Sequence, residues 1–135
     1  LGLAQMERID YFLRKKRLFA HVYKEALDGL PGVALQKETP GGESAWWLPS
    51  ITVEHIPVPK LQEALRERGV PTRRIFSPLH TYPYLQQHAP FPCPNAERIY
   101  EQGLNLPAST ANDEESVRRA AEIVRDVLLE KGGRA

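Results

Sequence analysis

The 135 residues include 18 lysines and arginines and 17 aspartates and glutamates, a net charge of +1 that creates no overall field for binding nucleic acid or a membrane surface. With 41% hydrophobic and 26% charged residues the composition is that of a globular domain, and no apolar run approaches the roughly eighteen residues that cross a bilayer. Cys93 is the only cysteine, which excludes an internal disulfide and fits a cytoplasmic location. From the length we expect a single domain over residues 1–135.

The beginning of the chain, residues 1–30, predicts one long amphipathic helix. Its apolar residues recur at steps of three, four or seven, the spacing of one buried stripe: Leu3, Met6, Ile9, Leu13, Ala20, Tyr23, Leu27 and Leu30. Gly29 and Pro31 then end the helix. The four cations at 14–17 spread around the helix, so we interpret them as a solvated face. Because the helical pattern is established from Leu1 without an initiator methionine, we expect a piece of a longer protein.

The middle of the chain alternates short strands with a short helix. A Pro-Gly-Gly turn follows a short extended piece and precedes a predicted strand over Trp46–Glu54. Pro49 cannot donate to a strand ladder, so we expect this strand to lie at a sheet edge or to carry a bulge. A helix over residues 59–69 and a short strand over Val70–Arg74 complete this part.

The last part of the chain predicts two helices that flank a brief strand. The first helix covers residues 94–103 with Asn95 as its cap, and the strand covers Leu104–Pro107. Asn112 and Glu115 form a capping box for the final helix, whose apolar face comprises Val117, Ala120, Val124 and Leu128. Because the strands are so short, we expect a two-layer α+β domain in which helices pack on one small sheet.

The segment Thr72–Leu85, TRRIFSPLHTYPYL, concentrates groups that bind ligands. Neighbouring strand residues face opposite ways, so we expect one of Arg73 and Arg74 to point toward the fold and the other outward. Guanidinium groups bind carboxylates and phosphates, a histidine donates or accepts near neutral pH, and aromatic rings wall a ligand. The candidate binding residues are Arg73, Arg74, Phe76, His80 and Tyr82. The alternative is that the apolar residues pack the loop onto the domain while the arginines form surface ion pairs.

Other chemistry finds little support in the sequence. His80, His88 and Cys93 do not have the spacing of a zinc site and lack a fourth ligand, so we predict no metal. Ser77 with His80, and Cys93 with His88, are close enough in sequence to suggest a nucleophile and its base. Both pairs lack a glycine elbow and an orienting acid, so we predict no catalytic nucleophile. Neither a GxGxxG nor a Walker pattern is present, so the sequence shows no recognised dinucleotide or phosphate site.

Several pieces of the chain resemble, in the same order, the C-terminal part of the DegT/DnrJ/EryC1/StrS aminotransferases. They are GLAQMERIDYFLRKKRLFAHVYKEAL, SAWWLPSI, LQEALRERGVPTRRIFSPLHTYPYL, AERIYEQGLNLPAST and DEESVRRAAEIVRDVL. The pieces FSPLHTYPYL and GLNLPAS look most like perosamine-synthase-type members, which aminate a 4-keto-6-deoxy sugar carried on a nucleotide. The family commonly has an aromatic residue after WWL, where this chain has Pro49.

The resemblance implies a fold-type-I homodimer that depends on pyridoxal phosphate, in which a large domain holds the cofactor and a small C-terminal domain covers the active site. This chain would be the small domain. The Schiff-base lysine and the acid at the pyridine nitrogen would lie outside it, so the resemblance implies no catalytic residue, no bound cofactor and no activity for the chain alone. The parent enzyme would transfer an amino group from an amino acid, typically glutamate, to the sugar ketone.

The resemblance also implies roles for the candidate residues. Arg73 or Arg74 would bind a carboxylate or phosphate, and Phe76, His80 and Tyr82 would contact the substrate. For Trp46 and Trp47, which match the family's aromatic pair, core packing and ligand contact are equally good interpretations. Two alternatives remain: a non-catalytic module that dimerises through the apolar stripe of the first helix, and an anion binder that uses both arginines.

Overall fold

The computed structural model describes residues 2–88 and 92–132. Two 3₁₀ turns, Leu79–Thr81 and Gln86–His88, lie in the proline-rich segment. The helices and strands are, in chain order, α1 (Gly2–Met6), α2 (Ile9–Leu27), β1 (Val33–Leu35), β2 (Ser50–Val53), α3 (Val58–Glu67), β3 (Arg73–Arg74), α4 (Pro94–Gln102), β4 (Gly103–Asn105) and α5 (Glu114–Gly132). Within these described ranges, no helix combines the length and the apolar character needed to span a bilayer.

The strands form a single antiparallel sheet in the order β1-β2-β4-β3. Ile51 in β2 lies opposite Leu35 on one side and Leu104 on the other, and Arg74 in β3 lies opposite Leu104. Along β2 the side chains alternate between half-buried and buried, as expected when one face of a sheet meets the core. The predicted α+β architecture, with one small sheet and helices packed on it, is confirmed.

The core lies between one face of this sheet and the helices α2, α3 and α5. Ile51, Val53 and Leu104 of the sheet are almost completely buried. The helices contribute Phe19, Val22, Tyr23, Leu27, Leu61, Leu65, Val117, Ala121, Val124, Val127 and Leu128. Burying one large aliphatic side chain contributes about 1.5–3 kcal/mol, so this cluster is the main source of stability.

The single long helix predicted for the beginning of the chain is wrong in two respects; its first residue, Leu1, lies outside the described residues. The helix breaks between α1 and α2, where the N–H of Arg8 donates to the carbonyl of Gln5 in a tightened turn. The predicted stripe is also exposed at its start, since Leu3 is 76% and Met6 63% exposed, and full burial begins at Phe19. Periodicity shows that one face is apolar, but it does not show what covers that face.

The strand predicted over Trp46–Glu54 is confirmed only for β2. Pro49 lies immediately before β2, which is an interior strand, so the expected edge position or bulge is wrong. The carbonyl of Pro49 accepts a hydrogen bond of 2.9 Å from the N–H of Leu106, so the proline joins the sheet through its acceptor alone. Trp46 adopts a positive φ of 48°, which no regular strand residue has.

The helix predicted over residues 59–69 is confirmed as α3, with Leu61 and Leu65 fully buried. Gly69 follows its end with a φ of +79°, the left-handed conformation that a glycine adopts readily. The strand predicted over Val70–Arg74 is shorter than expected, because β3 contains two residues.

The predicted starts of the last two helices each need correction. α4 begins at Pro94, which suits the first helical position, so Asn95 lies inside the helix and is not its cap. α5 is capped by Asp113, whose Oδ1 accepts a hydrogen bond of 2.7 Å from the N–H of Ser116; Asn112 lies one residue too early for this role. Hydrogen bonding to Ser116 lowers the pKa of the Asp113 carboxyl group. The predicted apolar face of α5 holds, except that Ala121 is buried while Ala120 is only half-buried.

Candidate functional site

The face of the sheet opposite the helical core is open and carries a groove of about 590 Å³. Ser50 and Thr52, whose side chains alternate with the buried Ile51 and Val53 along β2, form part of its floor. The segment before β2 and the segment after β3 provide its walls, so the groove is built from parts that are distant in sequence.

An aromatic pair stands at the wall of this groove. The rings of Trp47 and Phe76 stack with centroids 6.2 Å apart and an interplanar angle of 19°. They remain 67% and 71% exposed, which is unusual for two large apolar side chains in contact. Such a platform can hold a flat or apolar face of a ligand.

The two arginines of β3 face opposite ways, which confirms the sequence expectation. The guanidinium of Arg74 lies 4.1 Å from the ring centroid of Tyr100, and its Nη2 donates a hydrogen bond of 2.9 Å to the Tyr100 carbonyl. Arg73 is exposed. Arg74 is therefore held against α4, and Arg73 is the more accessible of the two for an anionic ligand.

His80 is also tied to α4, because its Nε2 lies 2.9 Å from Oε1 of Glu97 and its side chain is only 22% exposed. Glu97 and Tyr100 are three residues apart and thus neighbours on the surface of α4. His80 and Arg74 therefore both contact the same helix, through different residues. Tyr82 instead packs against Tyr84, with ring centroids 5.8 Å apart.

The five predicted binding residues thus have unequal positions. Phe76 lines the groove, and Arg74 and His80 contact α4, whose Ile99 also lines the groove. Arg73 neighbours Arg74 on the edge strand. The groove lining itself does not include Arg73, Arg74, His80 or Tyr82. The structure therefore places Phe76 in the groove and ties His80 and Arg74 to α4, while Arg73 lies exposed on the edge strand.

Asn105 is a part of the groove that the sequence analysis did not single out. It is 8% exposed, and its side chain joins three strands: Oδ1 accepts 2.7 Å from Ser50 Oγ, and Nδ2 donates 3.1 Å to the carbonyl of Arg74. A buried amide requires such partners. The available signal was a polar residue within an apolar strand, Leu104-Asn105-Leu106.

The basic run on α2 is not the solvated face that the sequence predicted. Lys15 Nζ donates to the carbonyl of Thr110 at 2.8 Å, and Lys16 Nζ donates to the carbonyls of Trp47 at 2.8 Å and Ala108 at 2.6 Å. Arg17 pairs with Glu43 at 2.6 Å. Burial lowers the pKa of Lys16. The prediction failed because these partners are loop carbonyls and a loop carboxylate, which charge patterning on the helix cannot reveal.

Pyridoxal phosphate, the cofactor implied by the resemblance, does not fit the lysines of this chain. A Schiff-base lysine needs a free amine in a site that also receives the cofactor phosphate and pyridine nitrogen. Lys15 and Lys16 are bound to backbone carbonyls, and the remaining lysines are exposed: Lys24, Lys37, Lys60 and Lys131. Across the described ranges, no group of three His, Cys, Asp or Glu residues is arranged to hold a metal ion.

Comparisons with known proteins identify similar sequences and folds. The profile of the DegT/DnrJ/EryC1/StrS aminotransferase family matches residues 1–125. The chain is 31% identical over 135 residues to the GDP-perosamine synthase of Escherichia coli O157:H7, covering 97% of this chain and 35% of that protein.

Solved structures agree with this result. The aminotransferase TlmJ from Streptoalloteichus hindustanus is similar with a TM-score of 0.85 at 26% identity, over 96% of this chain and 35% of TlmJ. DesI, determined in the presence of its TDP-sugar product, is similar with a TM-score of 0.82 at 28% identity, over 99% of this chain and 35% of DesI. The chain therefore spans about 35% of the length of each of these relatives.

Proposed function

The chain belongs to the DegT/DnrJ/EryC1/StrS aminotransferase family, and on this premise we propose that it is the C-terminal small domain of a nucleotide-sugar aminotransferase. The parent enzyme transfers an amino group from an amino acid, glutamate, to a keto-deoxysugar linked to a nucleotide. Pyridoxal phosphate supplies the electron sink for this chemistry when it is bound to the rest of the enzyme. The present chain caps the site and contributes contacts to the sugar nucleotide, and alone it is inactive.

One observation carries this proposal: the open face of the sheet combines an exposed aromatic wall with the polar groove residues Ser50 and Asn105, and Arg73 lies opposite Asn105 in the sheet register. A sugar nucleotide offers a flat base, apolar faces of the sugar ring and a negatively charged diphosphate. The stacked Trp47 and Phe76 suit the flat or apolar parts. Arg73, which is exposed on the neighbouring edge strand, suits the diphosphate or the carboxylate of the amino donor.

His80 and Tyr82 have supporting roles in this proposal. Glu97 fixes the orientation of the His80 imidazole, which leaves the ring's remaining edge to meet a sugar hydroxyl or a phosphate oxygen. Tyr82 is 37% exposed and lies in the same proline-rich segment as His80. Arg74 acts by holding β3 on α4, because its guanidinium is stacked on Tyr100.

Titration of the 135-residue chain with GDP-mannose, a readily available GDP-linked hexose, tests the proposal. Phe76→Ala removes half of the aromatic wall, and we expect the dissociation constant, followed by NMR, to rise on the order of tenfold, the loss of one stacked ring. Leu79→Ala is the matched control, since Leu79 is also 71% exposed but does not line the groove. Equal affinities of the two variants would place the ligand elsewhere, and no binding up to millimolar concentrations would refute the contacts proposed here.

A second candidate function, dimerisation, draws on the exposed start of the predicted stripe. Leu3 and Met6 are 76% and 63% exposed, and Ile9 is 38% exposed, so an apolar surface is available for a second copy. If the chain is a dimerisation module, light scattering will show a dimer at micromolar concentration that the double variant Leu3→Ser, Met6→Ser dissociates. A monomer that is unaffected by the substitutions favours the aminotransferase domain.

A further inference from the structure

Lys16 occupies the point where the two segments that flank the interior strands approach each other. One segment, residues 44–48, leads into β2, and the other, residues 106–110, leaves β4. The Nζ of Lys16 donates to a carbonyl of each, at 2.8 Å to Trp47 and 2.6 Å to Ala108. A cation that bridges two carbonyls forms charge-assisted hydrogen bonds, which are stronger than neutral ones.

The segment that Lys16 holds is conformationally demanding. Trp46 has a φ of 48°, in the left-handed region that large side chains avoid, so surrounding contacts must hold it there. The N–H of Trp46 donates to Ser44 Oγ at 3.0 Å, and the N–H of Ser44 donates to Glu38 Oε1 at 2.7 Å. Lys16 then fixes the next residue, Trp47, through its carbonyl.

We propose that Lys16 is a positioning residue for the groove: by binding the carbonyls of Trp47 and Ala108 together, it holds residues 44–48 so that the Trp47 ring lies against Phe76. The effect of Lys16 on ligand affinity rests on the proposed function, whereas its effect on the contact between the Trp47 and Phe76 rings does not. Since the Trp47 ring is 67% exposed, core packing alone does not set its position. The ring contact of 6.2 Å to Phe76 depends on where the backbone of Trp47 is placed.

Lys15 offers a contrast on the adjacent position of the same helix. It donates to the carbonyl of Thr110 and thus holds the segment after β4, as Tyr23 does through its hydrogen bond of 2.7 Å to the carbonyl of Pro107. Lys16 differs from both because it also reaches Trp47. The proposal therefore predicts different results for two lysines with the same charge and nearly the same place in the fold.

The test compares Lys16→Met with Lys15→Met in the 135-residue chain. Methionine keeps the apolar stem that packs along the helix and removes the ammonium donor. We expect Lys16→Met to lose the nuclear Overhauser contacts between the Trp47 and Phe76 rings, while the far-ultraviolet circular dichroism stays unchanged. We expect Lys15→Met to keep those contacts, and Lys16→Arg, which retains the charge and the donors, to restore most of them.

Affinity for GDP-mannose is the second measurement. We expect Lys16→Met to weaken it on the order of tenfold and Lys15→Met to leave it unchanged, because a displaced wall no longer matches the ligand. Loss of the ring contacts in Lys16→Met together with no GDP-mannose binding by the wild-type chain supports the positioning role and refutes the proposed function. Retention of the ring contacts in Lys16→Met, or an equal loss in Lys15→Met, overturns the proposal. If Lys16→Met does not fold, Lys16→Gln, a shorter neutral donor that cannot span both carbonyls, is held to the same criteria.

Discussion

On the helix-covered face of the sheet, Ile51 and Leu104 are sealed in a core with residues of α2, α3 and α5, whereas on the open face Trp47 and Phe76 keep 67% and 71% of their surface exposed. The first face is held by apolar packing, which depends on many similar contacts. The second is held by a few polar contacts, such as those of Lys16 and Asn105, each with particular partners. The residues that stabilise the fold and the residues proposed to bind ligand thus lie on opposite faces of one small sheet.

Removing a side chain from the helix-covered face should give the largest loss of stability. Leu65 of α3 is fully buried in the core, so Leu65→Ala leaves a cavity and lowers the free energy of unfolding by about 2–5 kcal/mol. Urea denaturation followed by circular dichroism measures this change. The exposed Leu79→Ala should change it by less than about 0.5 kcal/mol. Similar losses for both variants would show that the core lies elsewhere.

A substitution at the junction of the two faces should have an intermediate effect. Gly103 begins β4 where the end of α4 and Ile75 press against it, and a Cβ there would clash with the carbonyl of Ile99 and the Ile75 side chain. Gly103→Ala should therefore lower the free energy of unfolding by about 1–3 kcal/mol, the usual cost of overpacking. Gly132→Ala, where an added Cβ meets no atom within 4 Å, is the matched control and should not destabilise the chain.

The smallest effect is expected at the N-terminus of α5, which belongs to the helical layer alone. Hydrogen bonds to Ser116 lower the pKa of Asp113 in the folded chain, so the ionised carboxylate stabilises the fold. This contribution is fully present above the ordinary aspartate pKa of about 3.9 and is lost as the pH falls through the lowered pKa. Asp113→Ala should lower the midpoint of thermal unfolding at pH 7, and the difference from wild type should shrink at acidic pH.

The control for this prediction is Asn112→Ala, since Asn112 is not the cap in the structure. A larger loss of thermal stability for Asn112→Ala than for Asp113→Ala, measured at pH 7, would contradict the assignment of the cap.

The sequence predicted the helix-covered face well because its signals are local. Leu61, Leu65 and Gly69 define α3 within one short stretch, and the apolar spacing of α5 identified three of its buried residues. Whether an apolar helix residue is buried depends on what packs against it in three dimensions, which its spacing in the sequence does not show. The same periodicity placed Leu3 and Met6 in the core, although both are mostly exposed.

The open face was predicted only in part, since its geometry depends on contacts between distant residues. Lys16 lies 31 residues from Trp47 and 92 from Ala108, and no pattern on α2 indicates either partner. Asn105 lies 55 residues from Ser50. Phe76 and the arginines could be proposed as binding residues because their chemistry is visible in the sequence, whereas the contacts of Lys16 and Asn105 could not be predicted from it.

The central claim, that the open face of the sheet is the ligand face, is tested most directly by a chemical-shift map of the wild-type chain titrated with GDP-mannose. We predict that the shifts concentrate at Trp47, Phe76 and Arg73, while the resonances of Leu65 and Val124 stay in place. Shifts confined to the helical layer would contradict the claim. The absence of any shift at millimolar GDP-mannose would contradict it as well.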